Sequence, residues 1–153
     1  MKDQFTLGVF AIIYDEQKNI LLAHRRDMDL WDLPGGGMNH GELPTDTAIR
    51  EAKEETGFDV VIDRLLVVYS KPAPWDKDLG FVFLGHVISG EKRLSNESDD
   101  VSFFSPDSLP ENISPRKRAV VEAALQNLSE TTFVRVNLPH AKEWLESKKK
   151  VSD

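Results

Sequence analysis

The chain has 153 residues, of which 40% are apolar and 29% are charged, a size and composition typical of one globular domain. It contains no Cys, which excludes disulfides, thiolate metal sites and Cys nucleophiles and leaves His and carboxylates for metal or acid–base chemistry. The net charge of −7 argues against a nucleic-acid-coating surface. We find no membrane-spanning apolar run and no secretory signal, so we expect no membrane partner and a cytoplasmic location.

The first part of the chain predicts a β-hairpin followed by a glycine-rich loop. Apolar and β-branched residues run from Phe5 to Tyr14 and from Ile20 to His24, with the polar stretch DEQKN between them, a pattern typical of a hairpin. The next segment, WDLPGGGMNHGE, contains Pro34 and four glycines. These residues disfavour regular structure and allow the backbone to approach a ligand closely. We therefore predict an irregular loop here.

The residues from Pro44 to Thr56 predict a helix. They are good helix formers, Pro lies in the first turn, and Gly57 is placed to end the helix in a left-handed conformation. Further elements are predicted in chain order: strands at Val60–Tyr69, Phe81–Ile88 and Val101–Phe104, a helix at Pro115–Leu128, and, in the tail 129–153, a strand at Thr132–Val136 and a helix. The irregular alternation indicates an α/β fold in which helices pack on the faces of a mixed sheet.

Three carboxylates of the predicted helix lie beside its apolar stripe. On a helical wheel the stripe contains Thr45, Ala48, Ile49, Ala52 and Thr56. Taking Thr45 as zero, Glu54, Glu51 and Glu55 fall at about 180°, 240° and 280°. The three carboxylates therefore reach the edge of the apolar stripe, whereas a purely solvated face would keep its charges away from the packed side.

These carboxylates predict a divalent cation. At this spacing they repel one another, and partial burial penalises their charged forms. Arg50 can pair with Glu54 and with Glu42 in the preceding loop, but one guanidinium does not neutralise four acids. Mg²⁺ uses oxygen ligands and takes further oxygens from substrate phosphates. We therefore predict a Mg²⁺ site, with Mn²⁺ as a substitute, and a phosphate-containing substrate.

The segment from Gly36 to Phe58, GGMNHGELPTDTAIREAKEETGF, resembles the Nudix box. The box has nine defined positions, occupied here by Gly36, Glu42, Arg50, Glu51, Ala52, Glu54, Glu55, Gly57 and Phe58. The resemblance implies a Nudix-type α/β/α sandwich over residues 1–153, with a core at about 5–128. It also implies Mg²⁺-dependent hydrolysis of a nucleoside diphosphate linked to another moiety, X, and relatives that often form homodimers.

The resemblance also implies roles for particular residues. Glu51, Glu54 and Glu55 match the metal-binding acids, and the backbone carbonyl of Gly35 or Gly36 is an additional candidate ligand. Arg50 and Glu42 match a pair that braces the loop against the helix, a structural role.

A carboxylate must in addition orient the attacking water or take its proton. In the family this base comes from the box, where Glu51 and Glu54 are candidates, or from a downstream loop. The segment NESDDVSFF offers Glu97, Asp99 and Asp100, and we favour Glu97. An ordinary polar turn is the competing interpretation.

Several further residues are candidates for substrate contacts. Arg25 and Arg26 end the second strand beside the glycine loop and could bind a phosphate, although a solvated surface would look the same. Trp75 could stack on a base, as could Phe5, Phe10 and Tyr69, but aromatic residues in strands usually belong to the core. Lys117 and Arg118 rank behind these as contacts to an anionic leaving group.

The substrate class is indicated only by two prolines. Pro72 and Pro74 follow the box at about the distance at which ADP-ribose-cleaving relatives carry a Pro. We favour ADP-ribose or a nucleotide sugar, with a nucleoside triphosphate pyrophosphohydrolase that clears damaged nucleotides as the alternative. A catalytically silent nucleotide-sensing domain is the alternative from another class, and the presence of every box acid argues against it.

Overall fold

The computed structural model describes residues 6–70, 79–139 and 141–152, which build a mixed β-sheet flanked by helices. Its strands are β1 (Leu7–Tyr14), β2 (Ile20–Arg25), β3 (Trp31–Asp32), β4 (Gly35–Gly37), β5 (Phe58–Ser70), β6 (Leu79–Gly90), β7 (Ser98–Phe104) and β8 (Thr132–Arg135). Its helices are α1 (Pro44–Thr56), α2 (Pro115–Gln126) and α3 (Ala141–Ser152). None of these helices is long and apolar enough to cross a lipid bilayer.

The sheet has the strand order β3-β2-β1-β6-β5-β8, with β4 also paired to β1 and β7 to β2. Strands β1 and β6 are parallel, as are β5 and β8. Strand β1 is antiparallel to β2, and β5 is antiparallel to β6. The predicted mixed sheet and the predicted antiparallel hairpin of β1 and β2 are therefore confirmed.

The sheet separates two apolar cores. On one face the buried residues of β1 pack with α1 in a cluster that includes Val9, Ala11, Ile13, Ala48 and Ala52. On the other face they pack with α2 in a cluster that includes Ile12, Tyr14, Val120, Val121 and Ala124. Successive side chains of a strand point to opposite faces, so one continuous apolar strand supplies both cores. This arrangement confirms the predicted sandwich.

Helix α1 has the predicted bounds. Leu43 precedes it in an extended conformation without a side-chain cap, which costs about 1 kcal/mol relative to Ser or Thr. The Leu43 N–H instead donates to Asp46 Oδ2 at 2.9 Å. Gly57 ends the helix with φ 85°, a left-handed conformation in which glycine is favoured.

Several element boundaries differ from the sequence prediction. The glycine segment is not wholly irregular, because Gly35, Gly36 and Gly37 pair with β1 as the short strand β4. Strand β7 begins at Ser98 rather than at Val101. Helix α2 ends at Gln126 rather than at Leu128, which is 39% exposed. Strands β5 and β6 are each longer than predicted, because they pair along almost their whole length. The predicted sites at Phe5, Pro72, Pro74 and Trp75 lie outside the described residues.

Candidate active site

Two of the box carboxylates lie on the packed face of α1. Glu51 is 8% exposed and Glu55 is partly buried, whereas the Glu54 side chain is 57% exposed. Ile49, which the wheel assigned to the packed stripe, is 41% exposed, so that assignment was wrong. The packed face is rotated toward Glu51 and Glu55 because α1 packs against β4 as well as the central strands.

The glycines of strand β4 lie against these two carboxylates. The Gly35 N–H donates to Glu55 Oε2 at 3.3 Å. A Cβ added at Gly36 would lie 2.7 Å from Glu51 Oε1, too close for a real contact. Glycine at position 36 therefore allows the Glu51 carboxylate to lie directly against the backbone.

The guanidinium of Arg50 connects the loop before α1 with the acids on the helix. Its Nε and Nη2 donate to the two oxygens of Glu42 at 2.8 and 3.0 Å, and Nη2 also donates to the Gly37 carbonyl at 3.1 Å. Its Nη1 donates to Glu51 at 3.0 Å and to Glu54 at 3.1 Å. The hydrogen bonds from Arg50, with that from the Asn39 N–H, lower the pKa of Glu42 to about 2. Arg50 and Glu42 are thus paired, in an arrangement suited to bracing the loop.

Glu97, the residue before β7, adds a third carboxylate to Glu51 and Glu55. Among the described residues, one carboxylate oxygen from each of Glu51, Glu55 and Glu97 lies within 4.8 Å of the others; we call these three residues the acid cluster. The adjacent Ser98 Oγ donates to the Glu55 carbonyl at 2.6 Å. The Arg26 N–H donates to the Glu97 carbonyl at 3.0 Å. Hydrogen bonds to backbone groups of α1 and of the residue after β2 therefore hold the start of β7 in place beside α1.

The other candidate acids lie outside the acid cluster. Glu54 is held by Arg50 on the exposed side of α1. Asp99 bonds to His24 at 2.6 Å, and Asp100 pairs with Lys92 at 3.0 Å. Of the downstream acids considered from the sequence, the structure brings only Glu97 to the box carboxylates.

The electrostatics of the acid cluster favour a bound cation. Burial first, and then the hydrogen bond and charge of Glu51, raise the pKa of Glu55 to about 9 against the opposing effect of the Gly35 N–H. Two buried carboxylates in contact are unfavourable when both are charged. A divalent cation would compensate both, and a donor set made only of oxygens suits a hard cation. The cluster can therefore hold a divalent metal ion.

The acid cluster opens into a cleft of about 500 Å³ that is also lined by Arg25 and Arg26. Arg25 donates through Nε and Nη2 to Asp27 at 2.8 and 2.6 Å, and Arg26 donates through Nε to the Ser95 carbonyl at 2.7 Å. Both guanidinium groups are thus oriented by neighbouring loops. Their position near the carboxylates suits contact with an anionic substrate.

A smaller cleft of about 170 Å³ adjoins the first and shares Phe10, Arg25 and Asp32 with it. Lys117 of α2 donates to Asp32 Oδ1 at 2.9 Å, and its Nζ lies 3.1 Å from the centroid of the Phe10 ring. Asp32 was missed from the sequence, and Lys117 was only a secondary candidate. No local motif marks either residue.

Comparison with known proteins identifies the family. The family model of the NUDIX domain matches residues 4–124. A Bacillus subtilis protein provisionally named 8-oxo-dGTP diphosphatase is 36% identical over 118 residues, covering 76% of this chain and 78% of that protein. The ADP-ribose pyrophosphatase of Methanocaldococcus jannaschii is 34% identical over 106 residues, covering 64% of this chain and 61% of its own. The crystal structure of a NUDIX hydrolase from Nitrosomonas europaea, 23% identical, superposes with a TM-score of 0.77 over 90% of this chain and 81% of that one.

The family match and the acid cluster lead to the same assignment. The match spans most of the chain and includes helix α1, strand β4 and the start of β7. The two named relatives carry the names of a diphosphatase and a pyrophosphatase. The chain belongs to the NUDIX family and is a Nudix hydrolase with pyrophosphohydrolase activity.

Proposed function

We propose that the protein hydrolyses the pyrophosphate bond of a nucleoside diphosphate linked to a second moiety, with ADP-ribose or a nucleotide sugar as the preferred class. The observation that carries this proposal is the acid cluster at the edge of a cleft that also contains two arginines. Carboxylates alone would repel a diphosphate, and arginines alone would bind it without activating water. Their combination suits a cation-dependent phosphoryl-transfer site.

Mg²⁺ is the proposed cofactor, with Mn²⁺ as a substitute. Glu51 and Glu55 would hold it, together with Glu97 and the carbonyl of Gly35 or Gly36. The bound ion would neutralise phosphate charge and polarise the phosphoryl oxygens. We further propose that Glu54, which matches a metal-binding position of the box, contributes its exposed carboxylate to the occupied site.

The protein's own groups would then bind the substrate and activate water. Arg25 and Arg26 would bind the phosphate oxygens through charge-assisted hydrogen bonds. Glu97, the exposed member of the acid cluster, would use the carboxylate oxygen that is not bound to the ion to orient a water molecule and accept its proton as the water oxygen bonds to phosphorus. The bridging phosphorus–oxygen bond would break, and the leaving phosphate would take the electron pair.

The two adjoining clefts support a substrate with two parts. A diphosphate at the acid cluster would place one flanking moiety in the larger cleft and direct the other toward the smaller cleft at Lys117 and Asp32. An ADP-ribose-type molecule has such a form, and one of the similar proteins is named an ADP-ribose pyrophosphatase. The alternative substrate is an oxidised nucleoside triphosphate, which the name of the Bacillus subtilis relative favours.

A substrate panel tests the proposal. The purified protein with Mg²⁺ or Mn²⁺ is assayed against ADP-ribose, nucleotide sugars, dinucleoside polyphosphates, nucleoside triphosphates and 8-oxo-dGTP, and products are followed by phosphorus NMR. We expect AMP and a sugar phosphate from ADP-ribose, whereas a triphosphate substrate would give a nucleoside monophosphate and pyrophosphate. Glu55→Gln serves as the inactive control. Turnover confined to triphosphates would establish the alternative, and no turnover of any compound would refute both.

A further inference from the structure

His24 connects three segments beside the active-site cleft. Its Nδ1 lies 2.6 Å from Asp99 Oδ1 on β7, and its Nε2 lies 2.9 Å from Asp29 Oδ1 in the loop after β2. The ring also contacts Trp31 edge-on, with centroids 5.2 Å apart. A charged carboxylate only accepts hydrogen bonds, so both ring nitrogens donate to these carboxylates when His24 is an imidazolium.

The protonation state agrees with this geometry. Partial burial lowers the pKa of His24, but the hydrogen bonds to Asp29 and Asp99 outweigh it, so the pKa lies above its ordinary value. The two carboxylates therefore favour the positively charged form of His24.

The Asp99 contact lies at a β-bulge. Strands β2 and β7 pair His24 with Asp100 and Arg25 with Ser98, which leaves Asp99 as one extra residue in β7. In a regular strand, positions 97, 99 and 101 would share a face. The bulge instead places Ser98 on the same buried side as Val101, each 2% exposed.

The bulge determines which residues of β7 face α1. Ser98, the first residue of β7, is on the side that faces α1, where its Oγ donates to the Glu55 carbonyl at 2.6 Å, and Glu97 immediately before it lies in the acid cluster. A shift of one residue along the strand pair would turn Ser98 to the other face and would move Glu97 with it. Bulges near active sites commonly re-aim side chains in this way.

We propose that His24 is a positioning residue that holds the β7 bulge through Asp99 and thereby fixes Glu97 beside Glu51 and Glu55. This inference rests on the proposed function of the acid cluster. The hydrogen bond to Asp99 is the one that acts on the acid cluster, whereas the hydrogen bond to Asp29 secures only the loop after β2. Asp29 is 83% and Asp99 42% exposed, and exposed ion pairs contribute little to stability.

Substitutions of His24 can remove one of its two hydrogen bonds and keep the other. An Asn amide nitrogen occupies nearly the position of imidazole Nδ1, and a Gln amide nitrogen nearly that of Nε2. His24→Asn therefore keeps a donor toward Asp99, and His24→Gln keeps one toward Asp29. A role in general packing would not distinguish the two variants.

The first measurement is the Mn²⁺ dissociation constant, obtained from the free-Mn²⁺ electron paramagnetic resonance signal without substrate. We expect His24→Ala and His24→Gln to weaken Mn²⁺ binding about tenfold, and His24→Asn to recover most of the affinity. Asp99→Ala should match His24→Ala, and the double variant should add nothing, because the two side chains act through one contact. Asp29→Ala should stay within about twofold of the wild type.

Kinetics and a matched control complete the test. For the substrate found with the panel, kcat should fall about tenfold in His24→Ala with a smaller change in KM. His86→Ala removes a similar contact, 2.8 Å from Asp63 between β6 and β5, and should change neither quantity. Equal behaviour of His24→Asn and His24→Gln, or unchanged Mn²⁺ affinity in His24→Ala, would overturn the positioning role.

The two proposals fail in different ways. If the wild type binds Mn²⁺ and the Asn and Gln variants differ as expected, but no panel compound is hydrolysed, the proposed function is refuted and the positioning role stands. If the wild type hydrolyses a panel compound and the variants do not differ, only the positioning role is refuted. A wild type that binds no Mn²⁺ overturns both.

Discussion

The burial of Glu55 predicts a specific pH dependence of folding in the metal-free protein. Its pKa is raised from 4.5 to about 9 in the folded state, so the folded chain keeps a proton that the unfolded chain releases. The stabilisation from this proton is fully present below about pH 4.5 and is lost as the pH rises toward about 9. Glu55→Gln removes this titration and keeps a side chain of similar size.

The size of the effect follows from linkage. Between the two pKa values the free energy of unfolding falls by about 1.4 kcal/mol per pH unit. From about pH 5.5 to about pH 8.5 the wild type should therefore lose up to about 4 kcal/mol more than Glu55→Gln. Solvent access to the Glu55 carboxylate through the cleft reduces this upper limit, and we expect a difference of about 1–3 kcal/mol.

Chemical denaturation in EDTA across this pH range measures the difference. The His24 titration acts in the same direction but is present in both proteins, so it cancels when the two unfolding curves are subtracted. Glu54→Gln, which removes an exposed carboxylate of the same helix, should follow the wild-type pH dependence. Saturating Mn²⁺ should restore the wild type at high pH more than it restores Glu55→Gln. Parallel curves for the wild type and Glu55→Gln would refute the reasoning.

Three further predictions concern strand β4, the proposed base Glu97 and the smaller cleft. Gly36→Ala, whose Cβ would crowd Glu51, should weaken Mn²⁺ binding at least about tenfold, as measured by calorimetry; unchanged affinity would contradict the close packing. Glu97→Gln should lower kcat about 10²-fold to 10³-fold with an unchanged melting temperature, and a stopped-flow or steady-state rate near the wild type would assign the base elsewhere. Lys117→Met should destabilise the fold by about 3 kcal/mol because it leaves the Asp32 carboxylate without its cation, and urea unfolding should show partial recovery when Asp32→Asn is added.

Local sequence signals sufficed for α1 but not for its orientation. Pro44, Gly57 and the intervening helix formers defined the helix, and the spacing of the box identified its acids. The exposure of Ile49 could not be predicted, because the packed side of α1 depends on the pairing of Gly36 with Val9 in the sheet. Hydrophobic periodicity alone does not encode such long-range contacts.

Features that join distant segments were the least predictable. Lys117 and Asp32 are 85 residues apart in sequence, and neither is marked by a local motif. The extra residue in β7 likewise depends on its register with β2, which places Asp99 opposite no partner residue. Glu97 could be proposed only because the resemblance pointed to a downstream acid.

Two kinds of charged groups lie on different elements around the central sheet. The carboxylates that would hold the cation are on α1, packed on one face, whereas the Lys117–Asp32 pair is on α2 and β3, and α2 packs on the opposite face. Under the proposed function, substitutions of Lys117 would alter which molecules are accepted while the carboxylates of α1 stay in place. Such modularity would allow substrate choice to diverge rapidly in evolution, or to be redesigned in the laboratory, while the hydrolytic apparatus stays intact.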